Sequence, residues 1–276
     1  MSTSNSQMNK ISTKFRNLFY WLTNYQIYPG LYFRELYRIR ISNPYTPGLG
    51  IFMGKQFHFT DGLGFSGTIK ELFEEECYYF ETEKTAPFII DCGAYIGLSV
   101  FYFKKRFPKS KLLAFEADPE TFAVLSKNVA ELQLSDVELH NLAVWNEETE
   151  LTFFSGNSMS GSLMMDANNK GTPVKIKTAR LKSYLNQPVD FLKLDIEGAE
   201  LEVLKDIRDD LGQVERIFFE YHSLADQRQG LGEMLEILTE AGFRYYIQEA
   251  KNYNKRPFTG LKKAGFDLQL NVFAMR

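Results

Sequence analysis

Cysteine is almost missing from this chain, with only Cys77 and Cys92 among 276 residues. Two thiols build no disulfide framework, and neither has metal-ligand spacing around it. A reducing cytoplasm is the expected setting. No apolar run approaches the roughly 20 residues that span a bilayer. Charge of one sign is lacking too: 32 basic and 35 acidic residues leave a net charge of −3, which offers no electrostatic argument for nucleic acid. The one short basic run, Lys104-Lys105-Arg106, reads as a solvated helix face. Internal repeats are absent. What is present is ordinary for a globular protein, 44% hydrophobic and 24% charged. The length allows one large α/β domain with an appendage.

Residues 10 to 41 pattern as two helical pieces broken near Pro29-Gly30, followed by a turn-rich Asn43 to Gly50. Ile51 to Thr60 alternates like a short strand or hairpin, and Thr68 to Tyr79 reads as a helix. We therefore expect a helical extension and linker over 1–60 and the main domain over 61–276. The aromatic segment Lys14 to Leu22 is neither a signal peptide nor a span. Packing on its own domain is set against a peripheral membrane or subunit contact. Beyond residue 80 the pattern is strand–helix alternation. Strands are expected at 88–91, 111–116, 137–144, 189–195 and 214–220. Two more, 243–249 and 268–274, close the sheet, and a hairpin is inserted at 151–154 and 174–179. The stretch between its arms, rich in Gly, Ser, Asn and Met, is a candidate loop over the active site.

The most informative stretch is Phe88 to Glu116: an apolar strand, a glycine turn at Asp91-Cys92-Gly93-Ala94-Tyr95-Ile96-Gly97, a helix, and a second strand ending in an acid. This is how an open α/β sheet builds a nucleoside site. A dinucleotide fingerprint needs glycine where this chain has Tyr95 and again at Leu98, so close approach of a pyrophosphate is obstructed. S-adenosylmethionine carries no phosphate and tolerates the ring. Its carboxylate suits the helix start near Gly93, Glu116 suits two ribose hydroxyls, and Asp91 suits its ammonium, directly or through water.

Ligands of open sheets bind beyond the carboxyl ends of the strands. Acids recur there: Asp91, Glu116, Asp195 with Glu197, and Glu220 with His222. An alcohol acceptor is a weak nucleophile and needs a base or a metal. His222 oriented by Glu220 is the preferred base and Asp195 its competitor. Lys193, two residues before Asp195 on the same strand face, is expected to pair with an acid. Asp195, Glu197, Glu220 and His222 form an oxygen-rich set that suits Mg²⁺, but spacing alone does not define such a site and no metal is favoured. His140 is expected to be a packing or surface residue.

Read in order, Asp91-Cys-Gly93-Ala94-x-x-Gly97, Phe115-Glu116-Ala-Asp118-Pro119, Leu142-Ala143-Val144, Gly161-Ser162-Leu163, Lys193-Leu-Asp195-Ile-Glu197-Gly198-Ala-Glu200 and Glu220-Tyr-His222 resemble the FkbM family of S-adenosylmethionine-dependent methyltransferases. The resemblance covers about residues 60 to 250. It implies a class I methyltransferase fold: Rossmann-like, seven-stranded and mostly parallel. It also implies O-methylation of a hydroxyl on a saccharide or polyketide-type small molecule, and a cofactor site at Asp91, Gly93, Ala94, Tyr95, Gly97, Glu116, Ala143 and Asp195. The family usually has Asn where this chain has Tyr95. A nucleic-acid methyltransferase shares the fold, but the acidic balance and the lack of an Asn-Pro-Pro-aromatic tetrad speak against it. Tyr95 speaks against a nucleotide-sugar or NAD module, and the acids at the strand ends against a non-catalytic scaffold.

Overall fold

The computed structural model describes residues 29–155, 172–224, 227–250, 258 and 266–276. The aromatic segment Lys14 to Leu22 and the Gly161-Ser162-Leu163 motif lie outside them. The chain divides into two compact units, Met1–Cys77 and Tyr78–Arg276. The boundary expected at residue 60 falls inside the first. No helix among the described residues is long and apolar enough to cross a membrane.

The first unit contains α1 (Pro29–Ser42), the antiparallel strands β1 (Gly48–Phe52) and β2 (Lys55–Phe59), α2 (Gly62–Ile69) and a π-helical turn, Lys70–Glu74. The extension is thus a mixture of helix and hairpin. Met53 and Gly54, with φ of 50° and 70°, form the two-residue turn that suits the strand twist. Alternation sends Phe52, Phe57 and Phe59 inward, where they are buried with Ile39, Phe65 and Ile69. The helix expected over 68–79 starts earlier because Asp61 caps it, its Oδ1 accepting from the Gly64 amide at 2.5 Å.

The second unit is built on a seven-stranded sheet ordered β11-β12-β10-β9-β3-β4-β5. These strands are β3 (Phe88–Cys92), β4 (Lys111–Phe115), β5 (Val137–His140), β9 (Phe191–Leu194), β10 (Arg216–Leu224), β11 (Arg244–Glu249) and β12 (Phe266–Met275). Only β12 runs against its neighbours. The central strands are apolar on both faces, as strands covered on two sides must be. Helices α3 (Leu98–Arg106), α4 (Pro119–Glu131), α5 (Glu200–Asp206) and α6 (Leu231–Glu240) connect them. Asp118 caps α4 as its sequence signals, accepting from the Glu120 and Thr121 amides at 2.9 Å each. Strands β6 (Ala143–Trp145), β7 (Glu150–Ser155) and β8 (Thr172–Arg180) form a separate three-stranded sheet, with the expected hairpin as its β7–β8 arm.

Three expectations need correction. The strand expected at 137–144 breaks at Asn141, whose side-chain amide donates to the carbonyls of Glu116 and Ala117 at 2.9 and 3.2 Å. Its two halves join different sheets. Lys104 is buried, and its ammonium donates to the Ser110 carbonyl at 2.7 Å. The strand expected to end at residue 220 continues to Leu224, because β12 pairs with it along that whole length. Cys92 is a buried filler whose thiol burial pushes up, and His140 stacks on Phe115 with ring centres 4.7 Å apart.

At the opposite edge from the strand ends, buried Asp190 replaces a rung of the sheet. Its Oδ2 accepts from the Phe88 amide at 2.9 Å and its Oδ1 meets the Lys84 ammonium at 2.7 Å. Asp190→Ala strands that amide, so urea unfolding should show a loss of about 1–3 kcal/mol, with ligand binding at the far edge unchanged.

Candidate active site

The chain runs outward from β3 to β5, returns to β9, and then proceeds to β10 on the other side. The reversal lies between β3 and β9, where the loops part and an open sheet forms its crevice. Both loops there have unusual backbone. After β3, Gly93, Tyr95 and Gly97 have φ of 91°, 49° and 88°; after β9, Glu197 and Gly198 have 55° and 104°. The Gly93 and Ala94 amides both donate to the Phe115 carbonyl, at 3.0 and 2.9 Å. Glycine is required at 93, since a Cβ would run into the carbonyl oxygen of Asp195. A tyrosine in left-handed geometry costs roughly 1–2 kcal/mol. Asparagine tolerates this region far better. In this chain the turn is held by the Tyr95 amide, which donates to Glu116 Oε2 at 2.9 Å.

Glu116 stands just past β4. Its second oxygen, Oε1, accepts from the Asp118 amide at 2.9 Å. Each oxygen thus takes one backbone donor, which fixes the plane of the carboxylate and leaves a second acceptor site on each oxygen. Burial pushes this acid up to about 7, against the pull of the two amides.

Lys193, on β9, joins the two loops. Its ammonium donates to the Gly93 carbonyl at 2.6 Å and lies 3.4 Å from both Asp91 Oδ1 and Asp195 Oδ2. Its side chain is only 3% exposed. Burial opposes its charge, but the two aspartates outweigh that and raise its pKa. The expected pairing is present, with two acids instead of one. Asp91 is fully enclosed, with Ser99 donating to its Oδ2 at 2.5 Å. In this arrangement its carboxylate meets the Lys193 ammonium and the Ser99 hydroxyl. Ala94 is buried in the turn, and Ala143 lies in a small apolar cluster with Ile176, Ala117 and Val174.

The expected acids of the other edge do come together. Strand β10 pairs with β9 only from Ile217 to Phe219 and then overshoots it, supported by β12. Period-two alternation puts Glu220 and His222 on one face of that overhang. One ligand atom from each of Asp195, Glu220 and His222 lies within 4.8 Å of the others. Gln269 on β12 donates to Glu220 Oε1 at 3.2 Å. The side chain of His222 is 1% exposed, with Nε2 3.6 Å from both Glu197 Oε2 and Glu220 Oε1. Its Nδ1 lies 3.3 Å from Glu200 Oε1. Glu200 therefore faces one ring nitrogen and Glu220 the other. Glu200 is itself fixed by the amides of Ile196 and Gly198, at 3.0 and 3.1 Å. Sequence reasoning placed Glu200 in a motif without giving it a role. The available signal was an acid at the first residue of a helix, just after a glycine loop. Burial alone would depress His222, but Glu200, Glu197 and Asp195 outweigh it and raise the ring to about 10. Burial pushes Glu197 up to about 8 even though His222 pulls it down.

The chain has relatives among known proteins. The chain is 31% identical to Methyltransferase sdnD of Sordaria araneosa over 50% of its own length and 67% of that protein's. It is 25% identical to the 2-O-methyltransferase NoeI of Sinorhizobium fredii (strain NBRC 101917 / NGR234), over 50% of this chain and 65% of NoeI. The chain thus spans about two thirds of the length of the curated relatives it matches. The crystal structure of Methyltransferase FkbM from Methylobacillus flagellatus KT aligns with a TM-score of 0.48 at 14% identity, over 71% of this chain and 45% of that one. The sequence profile of the methyltransferase FkbM domain matches residues 91–245, from the buried acid of β3 to the start of β11. With more than half of its length inside that profile, the chain belongs to the FkbM family of methyltransferases.

Proposed function

We propose that this methyltransferase moves a methyl group from S-adenosylmethionine to a hydroxyl oxygen of a saccharide or polyketide-type small molecule. The observation that carries the reading is the doubly anchored Glu116 carboxylate on the same sheet edge as the Asp195–Glu197–Glu220–His222 cluster. Glu116 keeps acceptor sites for two ribose hydroxyls. The surrounding acids suit a sulfonium ligand and repel phosphate, so the donor chemistry of the residues fits S-adenosylmethionine better than a dinucleotide. The 2-O-methyltransferase name of NoeI supports oxygen as the acceptor atom. The acidic edge and the net charge of −3 disfavour a nucleic-acid acceptor.

When bound, S-adenosylmethionine supplies a methyl group already activated on sulfur. The transfer forms one O–C bond, breaks one S–C bond and releases the hydroxyl proton. The chain's contribution is to hold the acceptor oxygen in line, which supplies much of the rate, and to take that proton at Asp195, because the acids around His222 raise its ring to about 10 and keep it charged near neutral pH. Lys193 fixes the two loops that flank the reacting groups. The polar cluster beyond β9 orients the hydroxyl, with Asp195 and Glu197 at its accessible rim and His222 held behind them by Glu200.

Incubation with S-adenosylmethionine and a panel of polyhydroxylated acceptors should yield S-adenosylhomocysteine and an O-methyl ether identified by NMR. A methyl group found only on nitrogen or carbon would overturn the oxygen assignment. His222→Ala should lower turnover by about 10²-fold or more while S-adenosylhomocysteine affinity changes little. Because Glu116 titrates near 7, its carboxylate is ionised above that pH and accepts all four hydrogen bonds. Below that pH a proton displaces one of them. Calorimetric affinity for S-adenosylhomocysteine should therefore weaken as pH falls through 7, and Glu116→Gln should bind weakly with that dependence flattened.

A further inference from the structure

We propose that Asp195, Glu220 and His222 form a site for one divalent cation of the Mn²⁺ or Mg²⁺ class, which takes oxygen atoms of the acceptor at its remaining positions. The proposal rests on the methyl-transfer reading for what the cation does, but not for whether it binds.

The geometry carries it. Ligand atoms around such an ion stand roughly 3 Å apart in adjacent positions and roughly 4.3 Å apart in opposite ones, given bonds of about 2.1–2.2 Å. The carboxylate oxygens of Asp195 and Glu220 and a ring nitrogen of His222 already lie within 4.8 Å of one another. Nε2 lies 3.6 Å from Glu220 Oε1, a separation that two ligands sharing one ion can keep. The far side of the ring is arranged accordingly. Nδ1 faces the Glu200 carboxylate, which two backbone amides immobilise. A ligating histidine is typically fixed in this way, by a carboxylate that sets its tautomer and aims Nε2 at the metal. This imidazole is enclosed with its Nε2 edge toward the acids, so it is a built element of the site and not an incidental neighbour.

The donor types point the same way. Two carboxylates and one imidazole, with no thiolate, select a hard to borderline ion with open positions. An acceptor offering two adjacent oxygens, as a vicinal diol does, can fill two of those positions. Coordination would then acidify the hydroxyl that is methylated.

The test uses the full chain stripped with EDTA and titrated with Mn²⁺, following loss of the free-ion signal by electron paramagnetic resonance. Wild type should bind one Mn²⁺, competed by Mg²⁺. Glu220→Gln and Asp195→Asn should each weaken binding by about 10-fold or more, and Glu200→Gln by about 10-fold through misorientation of the ring. Circular dichroism checks that each variant folds, Asp195→Asn included, since Asp195 is also a partner of Lys193. Wild-type binding no tighter than that of these variants overturns the site. Calorimetry with S-adenosylhomocysteine on the same stripped protein separates the two ideas: uptake of that ligand without Mn²⁺ binding sinks the cation alone, and Mn²⁺ binding without uptake sinks the transfer reading alone.

Discussion

A single buried ammonium holds the two halves of the crevice in register. Lys193 leaves β9 beneath two loops that belong to different crossovers, and it binds a carbonyl of one and a carboxylate of each. Lys193 and Asp91, both away from water, are tolerated only when compensated, and removal of one is costly because it leaves the other unpaired. The closeness of the loops follows: the carbonyl of Asp195 occupies the space a side chain at Gly93 would need. Loops ordinarily tolerate change, but here the spacing of the two loops depends on one triad and one missing methyl group.

The second organising constraint is a difference in strand length. Because β10 is held on its outer side by β12, it extends past the end of β9. The residues of that overhang present one face to the crevice as a rigid ladder. Glu220 and His222 are therefore placed by sheet geometry, and the ring is then locked by Glu200 from the start of α5. Sites set on strands and helix termini hold reacting groups more tightly than sites on free loops.

Much of this was readable in the chain. The apolar strand before Gly93, the acid after Phe115 and the Lys193 to Glu200 block name the elements that meet, because each is a local pattern of period, turn and charge. The parts not readable depend on partners far along the chain. The length of β10 is decided by a strand some 50 residues later. The enclosure of Asp91 depends on Ser99 and Lys193 together, and the break at Asn141 depends on carbonyls of another connection. The burial of Lys104 is likewise set by the carbonyl of Ser110 and not by its charged neighbours. Composition identifies an acid or a lysine in such places but not which side of it will be dry.

Tyr95 carries a final consequence. Its left-handed backbone is a loaded spring, kept cocked by the bond from its amide to Glu116. On the proposed reading of Glu116 as the ribose acceptor, one carboxylate would hold both the nucleoside and this turn.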